Sequence, residues 1–578
     1  MIKKLASQIK EYKKNSILAP IFVTFEVLMD VLIPMAMAAI IDNGLNKNDV
    51  NYVIRVGIMM IVMALLSLFF GMISGRHAAI ASAGLSKNLR KSMYYNIQNF
   101  SFANIDKFST SSLVTRLTTD VTNVQMAYMQ IIRTLVRAPI MLIFALFMVF
   151  SISPQLTLIF AVVIPFLGVS LYIIMTKAHP NFMKMFKKYD LVNQVVQENL
   201  TAIRTVKSFV REDYETQKFT GATQELYNYS INAEKILAFN NPIMQFSIYT
   251  SILLISWFGA HLVVSNTMST GQLMSLFTYV MQILNSLMMI SMAFVMIVMS
   301  KASAERIIEV LDEKSTLANN DHPLYEVNDG SIVFNHVDFN YNNDVSNLNL
   351  KDINLNIKSG STIGIIGGTG SAKTTLVQLI PRLYDTTRGE ILVGGHNVKE
   401  YDIETLRNSV AMVLQKNVLF SGTIKENLKW GNDHATDEEI IKASKLAQAD
   451  EFVQTFKDKY ETVLDQGGTN VSGGQKQRLC IARALLKKPK ILILDDSTSA
   501  VDTKTDSLIR QAFKDEIPDT TKIIIAQRIP SIEDSDMIIV LDDGQINGVG
   551  THEELLKSNL IYQEVYYSQQ KGGQDDEK

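Results

Sequence analysis

A run of glycine, serine, lysine and threonine at residues 367–375 has the composition of a phosphate-binding loop. The run reads GGTGSAKTT, follows the apolar segment STIGII and precedes the helical pattern LVQLIPRL. Between a strand and a helix, backbone N–H groups bind phosphate oxygens, while Lys373 reaches the terminal phosphates and the Thr374 hydroxyl binds Mg²⁺. The sequence therefore predicts that a nucleotide is held by Gly367, Gly368, Thr369, Gly370, Ser371, Ala372, Lys373, Thr374 and Thr375.

Ala372 departs from the G-x-x-x-x-G-K-[ST] pattern, in which this position is a glycine. A residue with a Cβ is acceptable there if its φ is negative, and we expect that conformation. Further along the chain, the apolar strand-like run ILIL ends in Asp495 and Asp496. Nucleotide-hydrolysing sites use such an acidic pair to hold Mg²⁺ and polarise water.

The length and composition limit the classes of protein to consider. The 578 residues exceed a single compact core, so at least two domains are expected. The net charge of −2 argues against nucleic-acid binding. The single cysteine, Cys480, excludes an internal disulfide and lies in the apolar pattern LCIARALL, where we expect a small buried side chain.

Six apolar stretches in the first half are long enough to span a bilayer as helices. Lysine and arginine cluster in the N-terminal 15 residues and between spans four and five, whereas the three opposite connections contain only Lys47. Positive residues favour the cytoplasmic side, so both termini are predicted to be cytoplasmic. The predicted spans are near 16–42, 54–76, 136–153, 155–177, 238–265 and 272–300.

The phosphate loop belongs to a part of the chain that follows the spans. The connections 77–135 and 178–237 carry apolar residues at helical spacing and are predicted to be helical continuations of the spans. A polar linker occupies 311–328, and short β-rich runs then alternate with helical ones. We predict a polytopic α-helical membrane domain at 1–310, with six spans and long cytoplasmic helical extensions, an α/β P-loop nucleotide-binding domain at 329–568 and a disordered tail at 569–578.

A second motif, NVSGGQKQRLCIARALL at residues 470–486, precedes the acidic strand. With this motif the chain resembles the ATP-binding-cassette (ABC) family, whose signature sequence it matches at Val471, Ser472, Gly473, Gly474 and Gln475. The resemblance covers essentially the whole chain, and six spans followed by a cassette look like a half-transporter of the exporter type. It implies an ABC nucleotide-binding domain that uses ATP and Mg²⁺, in a dimer whose two cassettes enclose two ATP molecules.

The resemblance also implies roles for individual residues. Tyr341 would stack on adenine, and Asp502 would bridge the two cassettes. Gln415 would contact Mg²⁺ and the attacking water, so that Thr374, Gln415 and Asp495 would form the metal site. The signature residues Val471 to Gln475 would bind the γ-phosphate held by the opposite cassette, through hydroxyl and backbone donors at a helix N-terminus.

Two catalytic positions depart from the family pattern. Asp496 stands where the family has a glutamate, so its shorter side chain holds the carboxylate farther from the attacking water. Gln527 stands where the family has a histidine, and a neutral amide cannot carry positive charge. We therefore predict a degenerate catalytic site of Asp496, Gln527 and Gln415, and a heterodimer in which the intact signature motif serves a partner's competent site. Harmless drift is the alternative, since aspartate can act as a base and glutamine can position water.

Span 1 contains Glu26 and Asp30, one helical turn apart and therefore on one face. Intramembrane acids are costly and face a cavity or a partner, and Arg137 of span 3 is predicted at a depth similar to that of Glu26. We hypothesise a structural Glu26–Arg137 pair that leaves Asp30 free to attract cationic substrates. Satisfaction of both acids by polar neighbours is the alternative. Three methionines of span 6 are further candidates for substrate contacts, or else are packed or lipid-facing: Met281, Met288 and Met292.

The sequence as a whole predicts one half of an ATP-driven exporter in a bacterial cytoplasmic membrane, moving amphipathic compounds such as drugs outward. Its partners would be a second ABC half-transporter, membrane lipid and the amphipathic substrate. By the same resemblance, the tips of the helical extensions, near 107–113 and 211–217, would dock on the cassettes. A lipid, peptide or siderophore transporter is an alternative, since the fold does not choose the cargo. Another is a nucleotide-sensing regulatory subunit that binds ATP without pumping.

Overall fold

The computed structural model describes residues 1–342, 344–496 and 500–575. The chain folds into two compact units. The first consists of Met1–Gln98 and Thr110–Glu313, and the second consists of Asn99–Ser109 and Lys314–Lys578. A short segment from the membrane half of the sequence therefore belongs to the unit that contains the phosphate loop.

The first unit is built from long helices. Within the described residues, six helical stretches are long and apolar enough to cross a membrane: Lys10–Leu45, Val50–Gln98, Thr110–Ile152, Pro154–Thr201, Glu212–Val264 and Thr270–Asp312. Each matches one of the predicted spans, two of which end one residue beyond the helical stretch, so the prediction of six spans is confirmed. The helices up to the end of this unit are α1 (Ile2–Ser7), α2 (Lys13–Ala39), α3 (Val50–Gln98), α4 (Phe102–Phe108, in the second unit), α5 (Thr110–Thr115), α6 (Val121–Ile132), α7 (Thr134–Ile152), α8 (Pro154–Thr201), α9 (Ile203–Ser208), α10 (Glu212–Leu237), α11 (Asn240–Val264) and α12 (Thr270–Asp312).

Helices α3 and α8 continue far beyond the length of a membrane span. They contain 49 and 48 residues. At the rise of an α-helix, each is about 70 Å long, against a hydrocarbon core of about 30 Å. The predicted helical extensions of the spans are therefore present.

Pro34 interrupts the backbone hydrogen bonds of α2, and side chains of α12 compensate for the interruption. A proline has no N–H, so the carbonyl of Asp30, four residues earlier, loses its helical donor. Gln282 Nε2 donates to this oxygen at 3.2 Å, and the Tyr279 hydroxyl donates to the carbonyl of Val31 at 2.9 Å. Helix α12 thus satisfies backbone groups of α2 where lipid offers no donor.

The second unit is an α/β domain. Its further helices are α13 (Lys373–Gln378), α14 (Ile403–Ser409), α15 (Ile424–Lys429), α16 (Asp437–Leu446), α17 (Asp450–Thr455), α18 (Gly473–Leu486), α19 (Thr503–Glu516), α20 (His552–Ser558) and α21 (Leu560–Asp575). Its strands are β1 (Ile332–Phe339), β2 (Leu350–Ile357), β3 (Thr362–Gly367), β4 (Arg388–Val393), β5 (His396–Asn397), β6 (Val410–Val413), β7 (Gly422–Thr423), β8 (Val463–Leu464), β9 (Ile491–Asp495), β10 (Thr521–Ile525), β11 (Met537–Asp542) and β12 (Gln545–Gly550).

A six-stranded sheet in the order β12-β11-β3-β10-β9-β6 forms the centre of this domain. All pairs are parallel except β12 with β11 at the edge. Every residue of β9 and β10 is buried, as expected for parallel strands covered on both faces. An antiparallel sheet, β2-β1-β4-β5, shares one hydrophobic core with β3 through Phe334, Ile353 and Ile365. The predicted α/β class of this half is confirmed.

The C-terminal helix α21 extends to Asp575. Residues 569–575 of the tail predicted to be disordered are therefore helical, and the remainder of that tail lies outside the described residues. The helix is held at Gln569, whose amide donates to the carbonyl of Gln527 at 2.7 Å and accepts from the N–H of Ile529 at 3.0 Å. These contacts are not visible in the polar composition of the tail.

We expect Gln282→Leu to lower the stability of the membrane unit by about 1 kcal/mol, because the carbonyl of Asp30 loses its donor. The thermal midpoint of the purified full chain in detergent measures this effect. The control is Gln155→Leu, the same change at an exposed glutamine of α8. An unchanged midpoint for Gln282→Leu would contradict a role for this bond.

Candidate nucleotide-binding site

The carboxyl ends of four parallel strands bring the predicted phosphate-binding and catalytic residues to one edge of the sheet. Asp495 of β9 lies opposite Ile525 of β10, which in turn lies opposite Ile365 of β3. The phosphate loop follows β3, Gln527 follows β10 and Gln415 follows β6. Because parallel strands end at the same edge, segments far apart in the sequence meet there.

Lys373 is held by the phosphate loop itself. Its ammonium donates to the carbonyl oxygens of Gly367 and Gly368, both at 2.8 Å, and to Ser371 Oγ at 3.3 Å. Burial lowers the pKa of Lys373, and the two carboxylates at the end of β9 oppose this shift. The loop therefore surrounds a cation, as the binding of a polyphosphate requires.

Ala372 adopts φ +67° and ψ 26°, in the left-handed region. Our expectation of a negative φ is therefore wrong. The residue is the N-cap of α13, where the chain turns from the loop into the helix and glycine would meet no penalty. Alanine in this conformation costs roughly 1 kcal/mol, because its Cβ crowds the following carbonyl oxygen. The departure from the motif thus adds strain to the phosphate loop.

Asp495 and Thr374 form an oxygen pair that fits Mg²⁺. Asp495 is only 1% exposed, and its Oδ1 accepts from the Thr374 hydroxyl at 3.1 Å. Its Oδ2 is buried and has no hydrogen-bond partner among the described residues. Burial raises the pKa of Asp495, and the neighbouring carboxylate adds to the shift while Thr374 opposes it. A divalent cation at Oδ2 would satisfy this oxygen, with phosphate and water as its remaining ligands.

Asp496 is bound by both predicted catalytic glutamines. Gln527 Nε2 donates to its Oδ2 at 2.8 Å, and Gln415 Nε2 approaches the same oxygen at 3.4 Å. The backbone of Asp496 has φ +49°, a conformation that aspartate tolerates better than most residues. The amides of both glutamines therefore lie at one oxygen of the Asp496 carboxylate.

The signature residues form a group of their own around the N-terminus of α18. Ser472 Oγ accepts from the N–H of Gln475 at 3.3 Å, and the Gln475 side chain accepts from the N–H of Ser472 at 2.9 Å. A Cβ on Gly474 would lie 2.8 Å from the carbonyl oxygen of Ala500, so only glycine fits. The remaining signature residues are Val471 and Gly473. The cap gives α18 a well-defined N-terminus for an anion.

Asp502 is a helix cap. Its carboxylate accepts from the N–H of Thr505 at 2.9 Å at the start of α19. Hydrogen bonds from Thr505 lower the pKa of Asp502, so the group is an anion at neutral pH. Its predicted contact with a second cassette stays a prediction.

Tyr341 lies in an aromatic cluster that the sequence did not reveal. Its hydroxyl is 2.9 Å from Thr375 Oγ1, and its ring packs edge-on against Tyr384, with centroids 5.1 Å apart. The Tyr384 hydroxyl donates to Asp106 Oδ2 of α4 at 2.7 Å. No motif marks Tyr384 or Asp106, because the contact joins residues 278 positions apart.

The predicted acids of span 1 share one cation. Arg137 of α7 lies 3.3 Å from Glu26 Oε1, as expected, but it also lies 3.0 Å from Asp30 Oδ2. Ser67 Oγ donates to Asp30 Oδ1 at 2.6 Å. The expectation that Asp30 is left free is therefore wrong. Since the two carboxylates are one turn apart, a single guanidinium reaches both.

The three predicted methionines of α12 differ in their surroundings. Met281 and Met292 are exposed. Met288 packs against the hydrophobic core of the membrane unit. Their contact with a substrate stays a prediction.

Comparisons with known proteins agree with this architecture. The family profile described as the ABC transporter transmembrane region matches residues 16–300, and the profile described as ABC transporter matches residues 350–499. An uncharacterized ABC transporter ATP-binding protein of Bacillus subtilis, YfiB, is 36% identical over 568 residues, which cover 98% of each chain. The chain belongs to the ABC transporter family.

Two further similar proteins carry exporter names. A Staphylococcus aureus protein named, provisionally, as a multidrug export ATP-binding/permease protein is 30% identical over 575 residues, covering 98% of this chain and 99% of that protein. The structure of a bacterial Atm1-family ABC exporter with ATP bound has the same fold, with a TM-score of 0.82 and 23% identity over 97% of this chain and 98% of that one. The predicted family and fold are confirmed: one chain carries a transmembrane and a nucleotide-binding domain.

We expect Ala372→Gly to stabilise the nucleotide-binding domain by about 1 kcal/mol, because it removes the left-handed strain. The thermal midpoint of the full-length ABC protein reports the change, and a fluorescent ATP analogue reports whether relaxation of the loop tightens binding. Ala512→Gly, in the middle of α19, is the matched control and should destabilise. A lower midpoint for Ala372→Gly would show that the alanine is not strained.

Proposed function

We propose that this ABC protein is one half of a heterodimeric, ATP-driven exporter of amphipathic compounds. In this proposal, its own phosphate loop, Asp495 and Asp496 hold an ATP molecule that is hydrolysed slowly. Its signature motif completes a competent site on the partner half-transporter. Most ATP turnover then occurs at the site across Ser472.

The observation that carries the proposal is the state of Asp496. The side chain of Asp496 is one methylene shorter than that of a glutamate, and its carboxylate accepts hydrogen bonds from Gln527 and Gln415. A displacement of the reacting group by about 1 Å can cost on the order of a hundredfold in rate. Gln527 adds no positive charge to stabilise the transition state. Both features favour binding of ATP over hydrolysis.

ATP binding itself is supported by intact parts of the same site. Lys373 lies within the phosphate loop, and Oδ2 of Asp495, which has no hydrogen-bond partner among the described residues, lies next to Thr374 and fits Mg²⁺. Mg²⁺, when bound, would neutralise charge on the phosphates. Tyr341 presents a partly exposed ring that would stack on adenine. The site is therefore suited to retain ATP while the partner's site turns over.

The location and coupling follow from the distribution of charged and apolar residues. Lysine and arginine on the long connections favour a cytoplasmic position for both termini and for the nucleotide-binding domain. At the tip between α9 and α10, Phe209, Val210 and Tyr214 are exposed. We infer that this apolar tip docks on a cassette and transmits its closure to the spans.

Drug-like cargo is supported by the name of the Staphylococcus aureus relative, which is similar over its whole length. A lipid, peptide or siderophore cargo on the same fold is the alternative. A nucleotide-sensing subunit is the alternative from another class. Substrate flux that continues unchanged after removal of the partner's catalytic glutamate would favour the sensor.

Repair of the degenerate site is the first test. We expect Asp496→Glu combined with Gln527→His to raise ATP turnover of the complex purified through this chain up to about twofold, because a second hydrolysing site is added to the competent site across Ser472. The control is Asp433→Glu, which lengthens an exposed aspartate side chain by the same methylene. No gain in turnover would mean that these two residues do not limit hydrolysis.

The second test separates the two sites of the dimer. In the complex purified through a tag on this chain, Ser472→Ala should lower ATP turnover more than tenfold, because it removes a donor to the transferred phosphate. Asp496→Asn should change turnover less than twofold. Equal losses in both variants, together with a complex that contains only this chain, would identify a homodimer with two slow sites.

A further inference from the structure

Three helices of the membrane unit converge on one buried charge cluster. Arg137 of α7 contacts Glu26 and Asp30 of α2 through a single nitrogen. Helix α3 contributes Ser67, which donates to Asp30, and Gly71, which faces Glu26. We call these five residues the charge cluster.

The charge cluster has two carboxylates in contact with one guanidinium. The side chain of Glu26 is only 9% exposed, and its Oε2 is buried without a hydrogen-bond partner among the described residues. Arg133, one turn before Arg137, lies against Gly75 of α3 instead. One guanidinium cannot compensate two ionised carboxylates, and uncompensated charge within a membrane span is costly, so the cluster has room for a further cation or a proton.

The two acids differ in access. A Cβ on Gly71 would lie 3.2 Å from the carboxyl carbon of Glu26, so this carboxylate is packed against the backbone of α3. Asp30 and Arg137 are more open, with side chains 23% and 30% exposed. A large ligand can therefore reach Asp30 but not Glu26.

Aromatic rings lie beside the charge cluster in the sequences of α2 and α3. Phe22, one turn before Glu26 on α2, stacks with Phe70 of α3 at a centroid distance of 6.2 Å. Phe25 lies 5.5 Å from the same ring and is exposed. Aromatic faces attract cations, most strongly where water is excluded. Carboxylate and aromatic groups together recognise hydrophobic cations.

We propose that Asp30 binds a hydrophobic monovalent organic cation as transport substrate, and that Arg137 is its internal competitor. In the empty cluster Arg137 is shared between the two acids. When the cation contacts Asp30, the guanidinium stays on Glu26, which keeps it paired within the membrane. This inference rests on the proposed export function and specifies the class of substrate.

The test uses the full-length chain in lipid nanodiscs, without ATP, and two probes of equal shape and opposite charge. These are tetraphenylphosphonium and tetraphenylborate. We expect the wild type to prefer the cation. Asp30→Asn should weaken phosphonium binding about tenfold, equivalent to about 1.4 kcal/mol, while Arg137→Gln should strengthen it at least threefold because the competitor is gone. Asp49→Asn, which keeps its helix-capping oxygen, is the matched control.

Opposite changes of phosphonium affinity in the two variants indicate a cation site. If the charge cluster only stabilised the packing of the helices, both substitutions would change the affinity in the same direction. Weaker phosphonium binding in Arg137→Gln, or wild-type binding in Asp30→Asn, would overturn the proposal. If Asp30→Asn does not fold, the double variant Asp30→Asn/Arg137→Gln removes both partners and should still lose phosphonium binding. Retained binding there would also reject Asp30 as the ligand.

A parallel measurement separates this inference from the proposed function. ATP-driven export of an uncharged amphipathic compound is followed in vesicles that contain the wild-type complex. Export of that compound together with Asp30-independent phosphonium binding rejects only the cation site. Absence of ATP-driven export of both the uncharged compound and phosphonium rejects the exporter itself.

Discussion

Parallel pairing of β3, β10 and β9 holds together the phosphate loop, the two acids and Gln527. The register sets Ile365, Ile525 and Asp495 side by side, and the chain leaves each strand at the same edge. The pairing is buried on both faces, so it cannot slip without exposing isoleucine and leucine to water. The phosphate loop, the acids and Gln527 therefore owe their positions to the hydrophobic core, not to contacts among themselves.

The departures from the family pattern lie around this rigid edge. Ala372 and Asp496 both have positive φ, and they sit at the ends of adjoining loops. The backbone thus keeps a shape suited to glycine at the first position, although the side chain has changed. In the proposed function, this geometry would let the site hold ATP although Asp496 and Gln527 hydrolyse it slowly.

The sequence predicts best what is local. Long apolar runs define six spans, and the phosphate-loop motif defines its strand and helix without reference to the rest of the chain. The sequence does not predict backbone conformations and contacts that depend on the folded structure. The φ of Ala372 is set by the turn from the phosphate loop into α13, and the sharing of Arg137 depends on the packing of three helices. Tyr384 and Asp106 are 278 residues apart and carry no motif.

The two long helices α3 and α8 differ in how easily they can bend. Helix α3 runs for 49 residues without a proline, whereas α8 contains Pro165 and Pro180. A rigid rod of this length is a lever: a tilt of about 5° at one end displaces the other by about 6 Å. Helix α8 can bend at its prolines, so part of such a displacement is lost in the bend. Helix α3 is therefore suited to transmit motion from one end to the other, and α8 is suited to reduce it.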